Sequence, residues 1–112
     1  MKALSMHAPF VIDILNGDKT TEYRSWETSY RGDILLCSTA RKFHNAPCGY
    51  ALLVATLDDC TKIDSGYAWH LSNVRLIKPV KVKGQQRIYN LDIDPVYISA
   101  EDIHKFWDPI VS

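Results

Sequence analysis

The run Gly17-Asp18-Lys19-Thr20-Thr21-Glu22-Tyr23-Arg24-Ser25-Trp26 carries the densest chemistry in the chain. Charges of both signs lie beside a glycine turn and an aromatic ring, a combination that can grip an anionic, ring-bearing ligand. Arg24 offers a planar fork to a phosphate or carboxylate. Glu22 would orient Arg24 or accept a proton, and Lys19 would be a point charge or an activated nucleophile. Side chains alternate along a strand, which puts Glu22, Arg24 and Trp26 on one face and Lys19 on the other. Lys19 joins them only if the strand begins after it or a bulge intervenes. The same residues also fit an exposed, salt-bridged strand of little energetic weight.

Other constellations are weaker. Arg75, Lys78, Lys81, Lys83 and Arg87 form a basic stretch without an acid, and residues 92–108 carry five acids against Lys105. Lys81 and Lys83 share a strand face and fit either a phosphate backbone or an edge defended against aggregation. Ser38-Thr39-Ala40-Arg41-Lys42 follows an apolar run, where hydroxyls and bases suit an anion or an ordinary polar loop. Trp69 and His70 fit base stacking or, for Trp69, the core. His7, His44, His70 and His104 show no metal-ligand spacing, so no metal or other cofactor is expected. Phosphate-loop glycines and a GxSxG elbow are absent from the sequence.

The 112 residues are 46% hydrophobic with zero net charge. That suits one globular domain with a core of its own and excludes capture of nucleic acid by a global field. Any such binding must be local. The three cysteines are widely spaced, no apolar leader opens the chain, and no run is long enough to span a membrane. The expectation is a cytoplasmic protein with reduced thiols, Cys37 being a small core residue.

These residues need a scaffold. Lys2 to Met6 reads as a strand, and Pro9 opens a short helix that Asn16-Gly17 ends. Lys19 to Trp26 reads as a strand. So does Asp33 to Thr39, whose apolar middle predicts burial on both faces. Tyr50 to Leu57 is a long apolar strand ending at Asp58-Asp59, followed by polar loop to Gly66. Trp69–Lys78 and Val80–Lys83 read as two strands broken at Pro79, and Ser99 caps a late helix with Ile103, Phe106 and Trp107. The fold class is α+β, mainly β. A small β-barrel of five to six strands with flanking helices is expected, with an open sheet as the fallback.

The chain resembles the activating signal cointegrator homology (ASCH) domain of the PUA-like superfamily. Gly17, Lys19, Glu22 and Arg24 fit its Gly-x-Lys-x-x-Glu-x-Arg signature. Leu4-Ser5-Met6-His7-Ala8-Pro9-Phe10 looks like its opening strand and proline turn. Arg24-Ser25-Trp26-Glu27-Thr28 leads into Tyr30-Arg31-Gly32 as in the coactivator that names the family. Tyr67-Ala68-Trp69-His70-Leu71, then Val74 to Pro79, resemble its late strands, and Val82-Lys83-Gly84-Gln85-Gln86 to Tyr89 its closing turn. The resemblance spans roughly residues 3 to 92 of a single domain, and the helix from Ser99 lies outside it.

The resemblance implies a barrel with a cleft and an RNA- or nucleotide-binding role in RNA metabolism or transcription coregulation. Carried over by position, Lys19, Glu22 and Arg24 line the cleft, with Ser5, His7, Tyr30, Arg31, Ser38 and Lys42 as neighbours. Trp26, Tyr30 or Trp69 would stack on bases. Some small relatives are enzymes. One group hydrolyses acetylated cytidine with the signature lysine and a threonine three residues on, where this chain has Glu22. Others resemble metal-independent ribonucleases. An amidohydrolase or ribonuclease using Lys19 and Glu22 is therefore the alternative. A scaffold that docks protein partners through Phe106 and Trp107 is a third reading.

Overall fold

The computed structural model describes residues 1–111. Its elements are β1 (Lys2–Met6), α1 (Ala8–Leu15), β2 (Thr21–Arg24), β3 (Gly32–Ser38), β4 (Tyr50–Ile63), β5 (Gly66–Lys81), β6 (Tyr89–Asn90) and α2 (Ile103–Trp107), with 3-10 turns flanking α2. The six strands form one sheet in the order β2-β5-β4-β3-β1-β6. Only β1 and β3 pair in parallel, joined by the crossover through α1 and β2.

The expected barrel is not closed. The end strands β2 and β6 pair inward only, with β5 and β1. Their four and two residues offer too few ladder groups to complete a barrel, which needs long, tilted, staggered strands. The fold is mainly β of the α+β kind, with an open sheet and two short helices.

Two strand boundaries differ from the sequence reading. The strand that was to end at Asp58-Asp59 continues as β4 to Ile63 and returns through a two-residue turn closed by the Ile63–Gly66 pair. Its polar second half is exposed on a hairpin arm, where backbone pairing needs no apolar face. Pro79 does not break β5. The pairing with β4 shifts between Ala51 and Leu53, and the irregular stretch of β5 facing Leu52 contains Pro79, where no ladder N–H is required. Further shifts near Val54 and Leu57 bend this long hairpin.

Alternation in β3 sends Ile34 and Leu36 to one face and Leu35 and Cys37 to the other, and all four have no exposed surface. The first face packs under α1 with Leu4, Val11, Ile14, Leu53 and Trp69. The second packs with Ala3, Val54, Ile77 and Tyr89. Each fully buried Leu or Ile contributes roughly 1.5–3 kcal/mol, so β3 anchors both cores. Tyr89 explains β6, a strand too short to leave a sequence pattern. Its ring fills the second core and its hydroxyl meets Ser5 Oγ at 2.7 Å.

Burial pushes the Cys37 thiol up to about 11 and the Tyr89 phenol up to about 12. Both groups are neutral in the fold, while in the unfolded chain they ionise from ordinary values of 9.0 and 10.0. Their stabilisation is complete below pH 9 and is lost as pH rises through the folded values. The urea midpoint should therefore hold to about pH 9 and fall beyond it, and Cys37→Ala should flatten the first part of that fall. A midpoint constant to pH 11 would contradict this.

Candidate functional site

The site starts at the end of α1. Gly17 adopts φ +80°, which reverses the chain after the helix. The N–H groups of Asp18 and Lys19 then both donate to the Asp13 carbonyl, at 2.9 and 3.1 Å. The turn returns Lys19 toward its own helix, and its ammonium lies 5.4 Å from the Phe10 ring and 5.2 Å from the Tyr23 ring. Because β2 begins only at Thr21, Lys19 is free of strand alternation and reaches Glu22 at 3.3 Å.

Glu22 is 7% exposed. One carboxylate oxygen, Oε1, faces Lys19. The other, Oε2, accepts from Arg24 Nε at 3.0 Å and Nη2 at 2.7 Å. Arg24 Nη2 also donates to the Ser5 carbonyl at 2.8 Å. Two cations thus clasp one buried carboxylate, and the guanidinium is tied to β1. Nη1 keeps no hydrogen-bond partner among the described residues.

Two adjoining chambers open at this point. The larger, about 820 Å³, is walled by Arg24, Trp26, Thr39, Lys83, Gly84 and Arg87. The smaller, about 550 Å³, is walled by His7, Phe10, Lys19, Glu22, Tyr23 and Arg24. Ser5, Tyr23, Arg24 and Thr39 line both, so these four residues form the partition. The cations of the two walls are Lys19, Arg24, Lys83 and Arg87, and the sole carboxylate is the neutralised Glu22. A chain with no net charge thus concentrates positive potential in one cleft.

Other residues expected here have different tasks. His7 and Ser5 do line the cleft, His7 Nδ1 lying 3.1 Å from Thr39 Oγ1. Trp26 lines the larger chamber, its ring edge-on to Trp69 at 4.6 Å. Trp69 itself is fully buried and donates its Nε1–H to the Trp26 carbonyl at 3.3 Å. It props Trp26 and cannot stack on a ligand. Ser38 is also fully buried, its hydroxyl bonded to the Tyr50 backbone. Tyr30 and Arg31 fasten the turn before β3 through the carbonyls of Asp33, Thr28 and Tyr30 and lie outside both chambers. Lys42 is exposed on a loop and lines neither. Phe106 is half-buried and Trp107 buried, and both pack in the main core.

The basic stretch divides. Arg75 grips Asp33 with both nitrogens at 2.8 and 3.1 Å, which holds that carboxyl below its usual range. Only Lys83 and Arg87 reach the cleft. Arg87 lies 5.0 Å over the Trp26 ring, in left-handed backbone with φ +64°. Holding a non-glycine residue there costs about 1 kcal/mol, a strain at the cleft rim that its place over Trp26 accompanies. Phe10 and Tyr23, which also line the cleft, were not among the expected site residues. Phe10 and Tyr23 are 44% and 62% exposed, an unusual solvent position for two rings. A sequence offers no direct sign of that exposure, although Tyr23 alternates with the buried Glu22.

No curated protein matches the chain. The ASCH domain family model matches residues 4–102, which takes in both chambers and the clasped carboxylate. A match over most of the chain identifies it: the chain belongs to the ASCH domain family.

Proposed function

We propose that this ASCH domain binds single-stranded RNA in the two-chambered cleft. ASCH domains are generally linked to RNA binding. The observation that carries the reading is the cleft's charge: four cations line it, and its one carboxylate is spent on two of them. Arg24 and Lys19 would meet phosphate, with Lys83 and Arg87 extending the contact along the strand. The hydrolase alternative has less support. Glu22 would have to release both cations before acting as a base, and the threonine of the amidohydrolase relatives is missing at its position.

Anisotropy titrations of a labelled single-stranded RNA across a salt series test this. Affinity should fall with salt, and Arg24→Ala should weaken binding about tenfold or more. The exposed pair Lys83→Ala/Arg87→Ala should reduce the slope of log affinity against log salt by about 1.4, two contacts at roughly 0.7 each. No binding at low salt, or an unchanged slope in the double variant, would remove the proposal.

A further inference from the structure

We infer that the minimal ligand is a dinucleotide step, with its linking phosphate on Arg24 and its two nucleosides in separate chambers. This inference rests on the RNA-binding reading and goes on to state how the strand lies. The first support is the partition. Arg24 lines both chambers and is tied to Glu22 and Ser5, and its Nη1 has no hydrogen-bond partner among the described residues. A fixed guanidinium between two cavities suits the one group that two neighbouring nucleosides share.

The second support is that the chambers differ in chemistry. The smaller holds the exposed Phe10 ring and the Lys19 ammonium, which lies 5.4 Å from that ring and 5.2 Å from the ring of Tyr23, a residue lining both chambers. Exposed rings lose water-ordering surface when a base covers them, and every base has a face to offer. The larger holds Lys83, and Arg87 over Trp26, which fits the next sugar and its outer phosphate. Volumes of about 550 and 820 Å³ each admit one nucleoside-sized group. A lone nucleoside would fill one chamber and leave the Arg24 partition without an anion.

The test uses uridine 5′-monophosphate, the dinucleotide UpU carrying a 5′-phosphate, and a six-residue oligouridylate, titrated calorimetrically into the whole protein. The dinucleotide should bind at least tenfold more tightly than the mononucleotide, with a smaller gain from two to six residues. Phe10→Ala/Tyr23→Ala should weaken the dinucleotide about tenfold or more while leaving the salt slope unchanged, because a ring carries no charge. Tyr23→Phe keeps the ring and should keep the affinity. Both positions are exposed, so the variants should retain the wild-type melting curve. If the hexamer binds in a salt-dependent way while the dinucleotide matches the mononucleotide, or the ring variants bind normally, the two-chamber placement is wrong and RNA binding stands. If none of the three binds, both ideas fall.

Discussion

Glu22→Gln should lower the unfolding free energy by about 3 kcal/mol, far more than a surface ion pair would. Two estimates compete for this residue. An exposed pair contributes roughly 0.2–1 kcal/mol, and breaking a buried one costs about 3–5 kcal/mol because a charge is left without its partner. Exposure decides between them: the Glu22 side chain is 9% exposed, while those of Lys19 and Arg24 keep 19% and 20%. The carboxylate is out of water and the cations are partly in it, which places the cost at the lower end of the buried range. The amide of glutamine has the right shape but only one acceptor oxygen. If that oxygen faces Arg24, its NH2 group faces the Lys19 ammonium. Lys19→Met should cost much less, since Arg24 would still hold the carboxylate. Urea unfolding of both variants checks the order. A loss below 1 kcal/mol for Glu22→Gln would return the run to the status of an ordinary surface strand. Any catalytic role for Glu22 would appear differently, as lost turnover with stability preserved.

How far this clasp could be read beforehand depends on which residue is asked about. The pairing of Glu22 with Arg24 follows from strand alternation, and the strand is there. Lys19 hung on where β2 begins, and a shift of two residues decides its face. That start is set by the Asp13 carbonyl capturing the N–H groups of Asp18 and Lys19, a tertiary detail of the turn. Lys83 and Arg87 are harder still. They come to the larger chamber because β5 runs unbroken through Pro79 to Lys81, Val82 N–H then bonds the Gly49 carbonyl at 3.0 Å, and the chain passes Ser5 to reach β6. Proline in a strand reads locally as a stop, and only a bulge in the partner ladder makes it permissible. The two tryptophans show the same limit in reverse. Aromatic rings near a signature suggest stacking, but Trp69 is fully buried with its ring edge-on to Trp26, an arrangement no spacing rule conveys. The barrel expectation failed for a related reason. Strand number can be counted along a sequence, whereas closure depends on whether the end strands are long enough to find each other.

The second large effect falls on the backbone of the site. Gly66→Ala should destabilise the protein by about 3 kcal/mol, combining an overpacking cost of roughly 1–3 kcal/mol with about 1–2 kcal/mol for a side chain in this backbone region. Gly66 opens β5 at φ +146°. A Cβ there would stand 2.5 Å from the Arg24 carbonyl oxygen and 3.2 Å from Ser25 Cα. Neither neighbour is the flexible end of a side chain, so either the hairpin turn or the end of β2 must move. Movement of β2 carries Arg24 with it, since Arg24 is registered against Tyr67 and its guanidinium hangs on Ser5. The variant should therefore lose RNA affinity as well as stability, although residue 66 lines neither chamber. Gly17→Ala supplies the comparison. Gly17 also has positive φ, at +80°, but a Cβ there meets nothing within 4 Å. Its substitution should cost only about 1 kcal/mol and leave the Arg24 contacts in place. Urea midpoints and RNA titrations on the two variants separate the conformational cost from the collision. Equal losses in both would mean that β2 yields to the new methyl group, and that the Arg24 partition is less rigid than its hydrogen bonds imply.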